Sequence, residues 1–522
     1  MSEPREIVNG MRDKSYRPWT PHQSYLLPPS PLEWLPENHL AYFVLEVVQT
    51  LDLSAIEGAI RDKDARGTRP YAPAMMVALL VYGYCVGVFS SRKIAQATYD
   101  IVAFRVLAGG AHPYFTTIAE FRRTHHEALA DRFVQVLKLC QKAGLVTLGH
   151  VATDGSKIQA NASKHKAMSY ERMQSEEARL RSEVEALLGQ ADAIDREEDG
   201  RYGTGIDAED LPAELARREQ RLAKIRDAKA ALEREAAEAR AEALRDQAAA
   251  QRAKAADPSV DPAERQRADQ RADERERSAQ ALAPGHENDD EPPAAGGAPS
   301  DDLPHHRVPT TPEGRPAPTA QRNFTDPDSR IMKNNTGYLQ AYNAQTAVDE
   351  ASQVIVACAL TNQAPDPEHL PPMLDRIEKN CGAPPAILSG DSGYFSAQNV
   401  AACEQRGIDA YLAVGRERAA KDASAPQPVE PATPAQLAKQ RMRDKLGTDA
   451  GRAIYARRKT IAEPPFGQIK EARGFRRFSL RGLAKARSEW AFVCLTHNLL
   501  KLYRATWSAM STGYAAHAAT AT

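Results

Sequence analysis

The chain has 522 residues, long enough for two or three domains that each bury a core of their own. Its net charge is −1, with 68 Lys and Arg against 69 Asp and Glu residues, so no overall field attracts nucleic acid and any basic surface has to be local. The six cysteines lie far apart without a Cys-x-x-Cys pair, which argues against a zinc ribbon or a disulfide framework and favours a reducing cytosol.

Residues 1–35 form a polar N-terminal tail that lacks the basic start and the apolar stretch of a signal peptide. Residues 36–148 show apolar periodicity near 3.6 with short breaks, which predicts an all-helical domain of about five helices. One segment, residues 72–91, carries no charge over about the length of a membrane span. Its glycines and tyrosines and its amphipathic neighbours favour a buried central helix. We therefore expect no membrane association.

Basic residues decorate two helices of this domain. Arg92 and Lys93 open one helix, and Arg122 and Arg123 lie on the other. A helix-turn-helix-like module could place these side chains on DNA phosphates, which makes them candidate DNA-binding residues. A solvated helix face would carry the same pattern, and the sequence does not separate the two interpretations.

The pattern changes at residue 149. The stretch GHVATDG predicts a short strand that ends on Asp154, and the regular pattern stops near residue 165. Residues 166–256 are rich in Ala, Glu, Arg and Gln without a sustained apolar seam, which predicts a charged helical insertion. Residues 257–322 are rich in Pro, Gly and Asp and are interpreted as a disordered linker.

Ordered structure is predicted again from residue 323. Two apolar strands that can pair as a hairpin are followed by a helix, by the strand AILSGD that ends on Asp391, and by a further helix and strand. This order predicts a mixed sheet flanked by helices. We therefore expect a discontinuous α/β core made of residues 149–165 and 323–510, with a tail at 511–522.

The most basic part of the chain follows. Residues 451–504 contain 13 basic and 3 acidic residues, which gives a local net charge of +10. Such a concentration indicates a polyanion partner and predicts a DNA-binding surface. The candidate DNA-binding residues in this stretch are Arg458, Lys459, Lys470, Arg473, Arg476, Arg477 and Arg481.

Three carboxylates are candidates for a metal site. Asp154 and Asp391 each end a predicted strand, and their side chains would meet in a sheet whose first and fourth strands are neighbours. Glu463, the only acid between Asp449 and Glu471, stands at the start of a predicted helix. Alone it would be a first-turn helix charge. Together the three suit Mg²⁺ or Mn²⁺, and two such ions about 3.5–4 Å apart can activate one oxygen and stabilise another.

These segments resemble the bacterial insertion-sequence transposases of the DDE class. The resemblance rests on VATDGSKIQANAS, NAQTAVD, LSGDSGYFS and YARRKTIAEPPFGQIK, and it covers the helical N-terminal region and the core but not the insertion or the linker. Its most specific part is a signature of Tyr, Arg, Glu and Lys, matched by Tyr455, Arg458, Glu463 and Lys470. The usual signature has three residues between Arg and Glu, a spacing that fits Lys459, so either basic side chain could fill the Arg position.

The resemblance implies a ribonuclease-H-like core in which Asp154, Asp391 and Glu463 are the catalytic residues and hold two Mg²⁺ or Mn²⁺ ions. It implies that Tyr455, the Arg of the signature and Lys470 grip DNA near the scissile phosphate. The implied reaction is phosphoryl transfer, first hydrolysis at a transposon end and then attack of the freed 3′-OH on target DNA. The implied partners are the transposon ends and target DNA, bound by a homodimer or larger oligomer in the bacterial cytoplasm, at the nucleoid.

Two other functions are compatible with the same residues. One is a metal-dependent DNA nuclease without strand transfer. The other is a DNA-binding protein whose catalysis has decayed, and the altered spacing before Glu463 is the observation that supports it.

Three more side chains near the aspartates have open roles. Tyr394, which follows Asp391, could stack on a flipped base or pack in the core. Lys157 and Asn161, which follow Asp154, could contact DNA or a metal-bound water, or could serve ordinary turn and strand-end roles.

Overall fold

A computed structural model of the chain describes residues 33–62, 69–202, 211–282, 303–334, 337–415 and 433–519. The chain divides into two compact units. The first unit is Met1–Asn161, Asp301–Pro304 and Tyr342–Thr522, and the second is Ala162–Ser300 and His305–Ala341.

The described residues form the following helices and strands. The helices are α1 (Leu40–Thr50), α2 (Ser54–Arg61), α3 (Pro73–Cys85), α4 (Ser91–Asp100), α5 (Val102–Leu107), α6 (Phe115–Thr124), α7 (His126–Lys142), α8 (Tyr170–Tyr202), α9 (Leu211–Ala256), α10 (Pro262–Leu282), α11 (Leu370–Cys381), α12 (Ala397–Gln405), α13 (Pro434–Gly447), α14 (Asp449–Gly467) and α15 (Leu483–Ala519). The strands are β1 (His150–Gln159), β2 (Ala167–Ser169), β3 (Gln321–Asn323), β4 (Arg330–Asn334), β5 (Gly337–Asp349), β6 (Ile355–Thr361), β7 (Ile387–Gly390) and β8 (Asp409–Leu412).

The N-terminal region of the first unit is all-helical, and α3 is its central helix. Twelve of the 13 residues of α3 are buried, and Pro73 stands at its first turn, where a missing N–H costs no hydrogen bond. The helix ends at Cys85, so only part of the uncharged segment 72–91 is helical. No helix among the described residues is long and apolar enough to cross a membrane. The prediction of a buried helix is confirmed.

A mixed sheet follows these helices in the sequence. Within the described residues it has six strands: five follow the order β6-β5-β1-β7-β8, and β4 pairs with the first part of β5. The β5–β6 pair is antiparallel, whereas β1 pairs in parallel with β7 and β7 pairs in parallel with β8. The helix α12 is the crossover between the parallel neighbours β7 and β8, and α11 leads from β6 to β7. The first and fourth core strands are therefore neighbours, as predicted, with Ala152 opposite Ser389.

The second unit corrects the interpretation of residues 257–322 as a disordered linker. They include α10, a helix of 21 residues whose first N–H groups bond to Asp261 Oδ2. Ala279 of α10 packs against Ala241 and Leu244 of α9. Alanines at helical spacing let two charged helices approach closely, and the surrounding Pro, Gly and Asp residues hide that pattern. Residues 283–302 of the predicted linker lie outside the described part of the chain.

The predicted tails are described only in part. Residues 1–32 and 520–522 lie outside the described ranges. The predicted C-terminal tail, 511–522, begins inside a helix, because α15 continues to Ala519.

A buried polar network inside the first unit joins α3, α6 and α15. The hydroxyl of Tyr84 donates to Glu489 Oε1 over 2.7 Å, and Arg122 Nη1 donates to that hydroxyl over 3.1 Å and to Phe89 O over 2.9 Å. The second oxygen of Glu489 accepts the backbone N–H groups of Ser479 and the residue after it, over 2.8 and 3.0 Å. Burial raises the pKa of Tyr84 far above its ordinary value, so this residue acts as a neutral donor. The network fixes the loop between α14 and α15.

Arg473 anchors the same loop from the other side. Its guanidinium donates to Thr496 Oγ1 over 2.7 Å and to the carbonyl oxygen of Tyr84 over 3.3 Å. The loop backbone also touches the turn after α3, where Gly87 has a φ of +81° and a Cβ would lie 2.6 Å from Arg473 O. Only glycine fits that position without strain or displacement.

Candidate active site

Asp154 lies on β1, and Asp391 follows β7, the parallel neighbour of β1. Asp391 directly follows the last residue of β7, as predicted. Asp154 does not end its strand, because β1 continues to Gln159. The basic loop between α14 and α15 extends the strand, because the Phe478 N–H of this loop donates to Gln159 O over 2.9 Å. Pairing between β1 and β7 nevertheless stops at Ala152, so the two aspartates stand just beyond the paired segment.

The electrostatics of Asp154 show that other carboxylates are close. The pKa of Asp154 is raised to about 6, chiefly by burial and to a smaller extent by the negative charges of Asp391 and Asp366. Arg458, whose Nη1 lies 3.8 Å from Oδ2, and the Gly155 N–H, 2.9 Å from Oδ1, act in the opposite direction. Three aspartates therefore share one region of the first unit.

This shift predicts a pH dependence of the metal-free protein. Because the folded state holds the proton of Asp154 more tightly than the unfolded chain, the contribution of this residue to stability falls as pH rises from about 4 to about 6, by at most roughly 3 kcal/mol. Urea unfolding in EDTA at both ends of that interval, compared with Asp154→Asn, measures the effect. The Asn variant should lack this decline, and parallel pH curves for the two proteins would contradict the assignment.

Asp366 is the carboxylate that sequence reasoning missed. It precedes a 3₁₀ turn after β6, in the stretch TNQAPDPEH, where neighbouring prolines suggest an ordinary loop. Burial would raise its pKa, but His369, 3.6 Å away, and Lys157, 3.5 Å away, outweigh burial and lower the pKa to about 2. A Cβ at Gly393 would lie 3.3 Å from Asp366 Oδ2 and 3.0 Å from Asp391 Oδ1, so both carboxylates border the same glycine.

Glu463 is not where the sequence suggested. It lies in the fourth turn of α14 and not at a helix start, because α14 begins at Asp449 and runs through Pro464 and Pro465. Proline removes only its own N–H, and the disturbed ladder continues as a π-helical turn at Gln468–Ala472. The side chain of Glu463 is exposed and forms no hydrogen bond or ion pair with any described residue.

The carboxylates of this site are ligands of the type that a hard divalent cation binds, but they are not arranged as a complete metal site. Carboxylate oxygens are the ligands that Mg²⁺ and Mn²⁺ prefer, and a cation would relieve the repulsion that acts on Asp154. Within the described ranges, no group of three or more His, Cys, Asp or Glu side chains is arranged to hold a metal ion. The structure brings Asp154 and Asp391 together, whereas Glu463 forms no hydrogen bond or ion pair with any described residue.

The basic members of the signature face the same strand. Arg458 lies beside Asp154, with its guanidinium 5.9 Å from the ring centre of Tyr455. Lys470 donates from Nζ to the hydroxyl of Ser156 on β1. Lys459 is exposed on α14 and has no contact with the aspartates. The structure therefore places Arg458, and not Lys459, next to the carboxylates.

The rest of the basic stretch separates into exposed and buried residues. Arg476, Arg477 and Arg481 are exposed; the first pairs with Glu471, and the other two bond to Asn161. Arg473 is only 6 % exposed and holds the loop, so its prediction as a DNA-binding residue is wrong. Its charge is enclosed by partners far away in sequence, which a local count of basic residues does not detect.

The helical region separates in the same way. Arg92 and Lys93 are exposed on α4, and the guanidinium of Arg92 lies 4.8 Å from the ring centre of Phe115. Arg123 is exposed and pairs with Glu120. Arg122 belongs to the buried network with Tyr84, which corrects its prediction as a DNA contact.

The structure defines the contacts of all three side chains whose roles the sequence leaves open. Tyr394 is fully buried, so it packs in the core and does not present its ring to a flipped base in this structure. Lys157 donates to Ala364 O over 2.9 Å and lies 3.5 Å from Asp366. Asn161 donates to Ser479 O over 2.7 Å and so joins the end of β1 to the basic loop.

Two family models match the chain. The transposase DDE domain matches residues 305–499, and the transposase domain known as DUF772 matches residues 30–124. Together they cover more than half of the chain. Neither a curated protein nor a solved structure matches it.

The first match contains Asp391 and Glu463, and the second contains the helices α1 to α6. Both matched families are transposase domains, and they occur here in one chain with the paired aspartates. The chain therefore belongs to the insertion-sequence transposases of the DDE class, which are enzymes of the polynucleotidyl transferase type.

Proposed function

We propose that this transposase binds the terminal inverted repeats of its own insertion sequence, cleaves the DNA there and joins the freed 3′-OH to target DNA. The observation that carries the proposal is the approach of Asp154 and Asp391 on adjacent parallel strands, with Arg458 beside them. The strand order β6-β5-β1-β7-β8 supports a ribonuclease-H-like core for this reaction.

The proposal assigns separate tasks to the residues of the site. Asp154 and Asp391 would hold the divalent metal, and Glu463 would complete the set. Glu463 adjoins Ala462, which lies one helical turn from Arg458, so it borders the helix face that meets β1. When bound, Mg²⁺ or Mn²⁺, in a pair, would activate the attacking oxygen and stabilise the leaving one.

The basic residues would position the DNA. Arg458 contacts Asp154 and Lys470 contacts Ser156, both on β1, where the two cations can hold a phosphate next to the carboxylates without a covalent role. Arg476, Arg477 and Arg481 are exposed on the neighbouring loop and can contact adjacent phosphates. Arg92 and Lys93 on α4 are the residues that we propose for contact with the repeat.

A strand-transfer assay tests this function. Purified protein is incubated with Mg²⁺ or Mn²⁺, supercoiled plasmid and a labelled terminal repeat that already carries a free 3′-OH. We expect labelled plasmid from the wild-type protein and none from the same end blocked with a 3′-dideoxynucleotide, because the hydroxyl is the attacking group. Cleavage of an uncut end without any joined product would support a nuclease and overturn the transfer step.

The partners of the reaction are also part of the proposal. We infer a homodimer that holds two transposon ends, and action at the bacterial nucleoid in the cytoplasm, from the two transposase domains of the chain. Sedimentation of the protein with and without repeat DNA measures the first of these. A complex that contains one protein chain per joined end pair would contradict it.

A further inference from the structure

A chain of hydrogen bonds runs beneath the two aspartates. The buried hydroxyl of Tyr394 donates to Gln345 Oε1, and Gln345 Nε2 donates to Asp366 Oδ1 over 2.8 Å. Asn343 Nδ2 donates to the same oxygen of Asp366 over 2.7 Å. These residues come from β5, from the loop after β6 and from the turn after β7, so the chain of bonds links three parts of the first unit.

The tyrosine at one end of these hydrogen bonds is connected to Asp391. Tyr394 belongs to the turn that Asp391 opens, because the Tyr394 N–H donates to Asp391 O over 3.2 Å and the Gly393 N–H donates to Asp391 Oδ1 over 2.8 Å. Movement of the Tyr394 side chain would therefore move the turn that orients the carboxylate. The Tyr394 ring is fully buried among apolar groups. The hydrogen bond of its hydroxyl therefore fixes the position of the side chain.

The other aspartate lies over the same amide. A Cβ at Gly155, the residue after Asp154, would lie 2.5 Å from Gln345 Nε2 and 3.2 Å from Asp366 Oδ1. Glycine at this position lets the amide of Gln345 pack directly under β1. The Gln345 side chain thus lies between the segments that carry the two aspartates.

We propose that Asp366, Gln345 and Tyr394 form a positioning relay that holds the Asp391 carboxylate in register with Asp154. The inference rests on the proposed metal-binding role of these two aspartates. The relay has a direction, because two amide groups donate to one oxygen of Asp366 and this leaves Gln345 Oε1 to accept the tyrosine hydroxyl. Its members act through Asp391 and are not themselves catalytic.

The direction of the relay allows a test by reversal. Gln345→Glu places a carboxylate oxygen against Asp366 Oδ1, where a donor is needed, and should break the relay. In the double variant Gln345→Glu with Asp366→Asn, the new amide can donate to the new carboxylate, which can still accept from Tyr394. The pair then carries the same charge as in the wild type, and the direction of the hydrogen bond between its two side chains is reversed.

Two readouts are measured for each variant. One is the Mn²⁺ concentration that gives half-maximal cleavage of a terminal repeat, and the other is the rise in Tm caused by Mn²⁺ without DNA. Tyr394→Phe and Gln345→Glu should each raise the required Mn²⁺ concentration by roughly 10- to 100-fold, the usual effect of losing a partner of a metal ligand. The double variant should recover most of that loss. Tyr503→Phe, which removes a hydroxyl that donates to Asn38 O over 2.8 Å on α15, is the control and should match the wild type.

The outcomes separate the relay from a structural role and from the proposed function. Variants with a lower Tm but a wild-type Mn²⁺ requirement would overturn the relay, and so would a double variant no better than Gln345→Glu. A wild-type protein that cleaves, together with such variants, would leave the proposed function intact. A wild-type protein that neither cleaves nor gains Tm from Mn²⁺ would overturn both.

Discussion

Replacement of Asp391 by Asn is expected to lower the rate of cleavage at a terminal repeat by on the order of a thousandfold or more while DNA binding is retained. Asparagine keeps the size of the side chain and can still accept the Gly393 N–H, which lies 2.8 Å from Oδ1. It removes the negative charge that a divalent cation needs. Single-turnover cleavage of a labelled repeat in Mg²⁺ or Mn²⁺, together with a mobility-shift assay, measures the two properties separately.

Asp409→Asn is the matched control for this experiment. Asp409 opens β8, the strand beside β7, and pairs with Lys445 away from the other aspartates. Its replacement should leave the cleavage rate near that of the wild type. Equal cleavage by Asp391→Asn and the wild type would contradict the catalytic role of Asp391, and DNA binding without cleavage by either protein would favour a DNA-binding protein whose catalysis has decayed.

Replacement of Arg473 by Ala is expected to destabilise the first unit by roughly 3–5 kcal/mol. The guanidinium is buried and donates to Thr496 Oγ1 and to the carbonyl oxygens of Tyr84 and Val493. Burial lowers its pKa to about 10, so it still carries a charge at neutral pH. Removing it leaves those acceptors without a donor and opens a cavity. Urea unfolding gives the free energy of unfolding of each variant.

Arg476→Ala provides the comparison at an exposed position three residues later. Its ion pair with Glu471 is on the surface, and we expect a change in unfolding free energy of no more than about 0.5 kcal/mol. Weaker DNA binding is expected of Arg476→Ala in low salt, since it loses a cation that can contact phosphate. If Arg473→Ala loses DNA affinity at unchanged stability, its assignment as a structural residue is wrong.

The sequence predicts those features that depend on local patterns and on the rules of sheet topology. The adjacency of Asp154 and Asp391 is one of these, because two apolar segments and a crossover helix leave few ways to arrange parallel strands. Asp366 could not be found in this way. Its place beside the aspartates depends on a loop whose path is set by tertiary contacts, and its polar partners Asn343 and Gln345 are a strand away.

The errors have a common physical origin. The sequence predicts Arg122 and Arg473 as surface cations because it shows their charge but not their hydrogen-bond acceptors, which lie far along the chain. It predicts the wrong start for the helix that carries Glu463 because two consecutive prolines usually mark a first turn. In the structure, the roughly four preceding turns, from Asp449 to Glu463, hold the helix through Pro464 and Pro465, so the prolines disturb only the turn that follows.

The close approach of Gly87 to Arg473 O limits how regions of this protein can be exchanged with those of relatives. A segment of the N-terminal region and a loop from the C-terminal region occupy complementary space, and Tyr84, Arg122 and Glu489 add hydrogen bonds that cross the same boundary. An N-terminal region taken from a relative would meet a loop shaped for a different turn. Chimeras that exchange the N-terminal region should therefore fold only when the segment from Arg473 to Glu489 is exchanged together with that region.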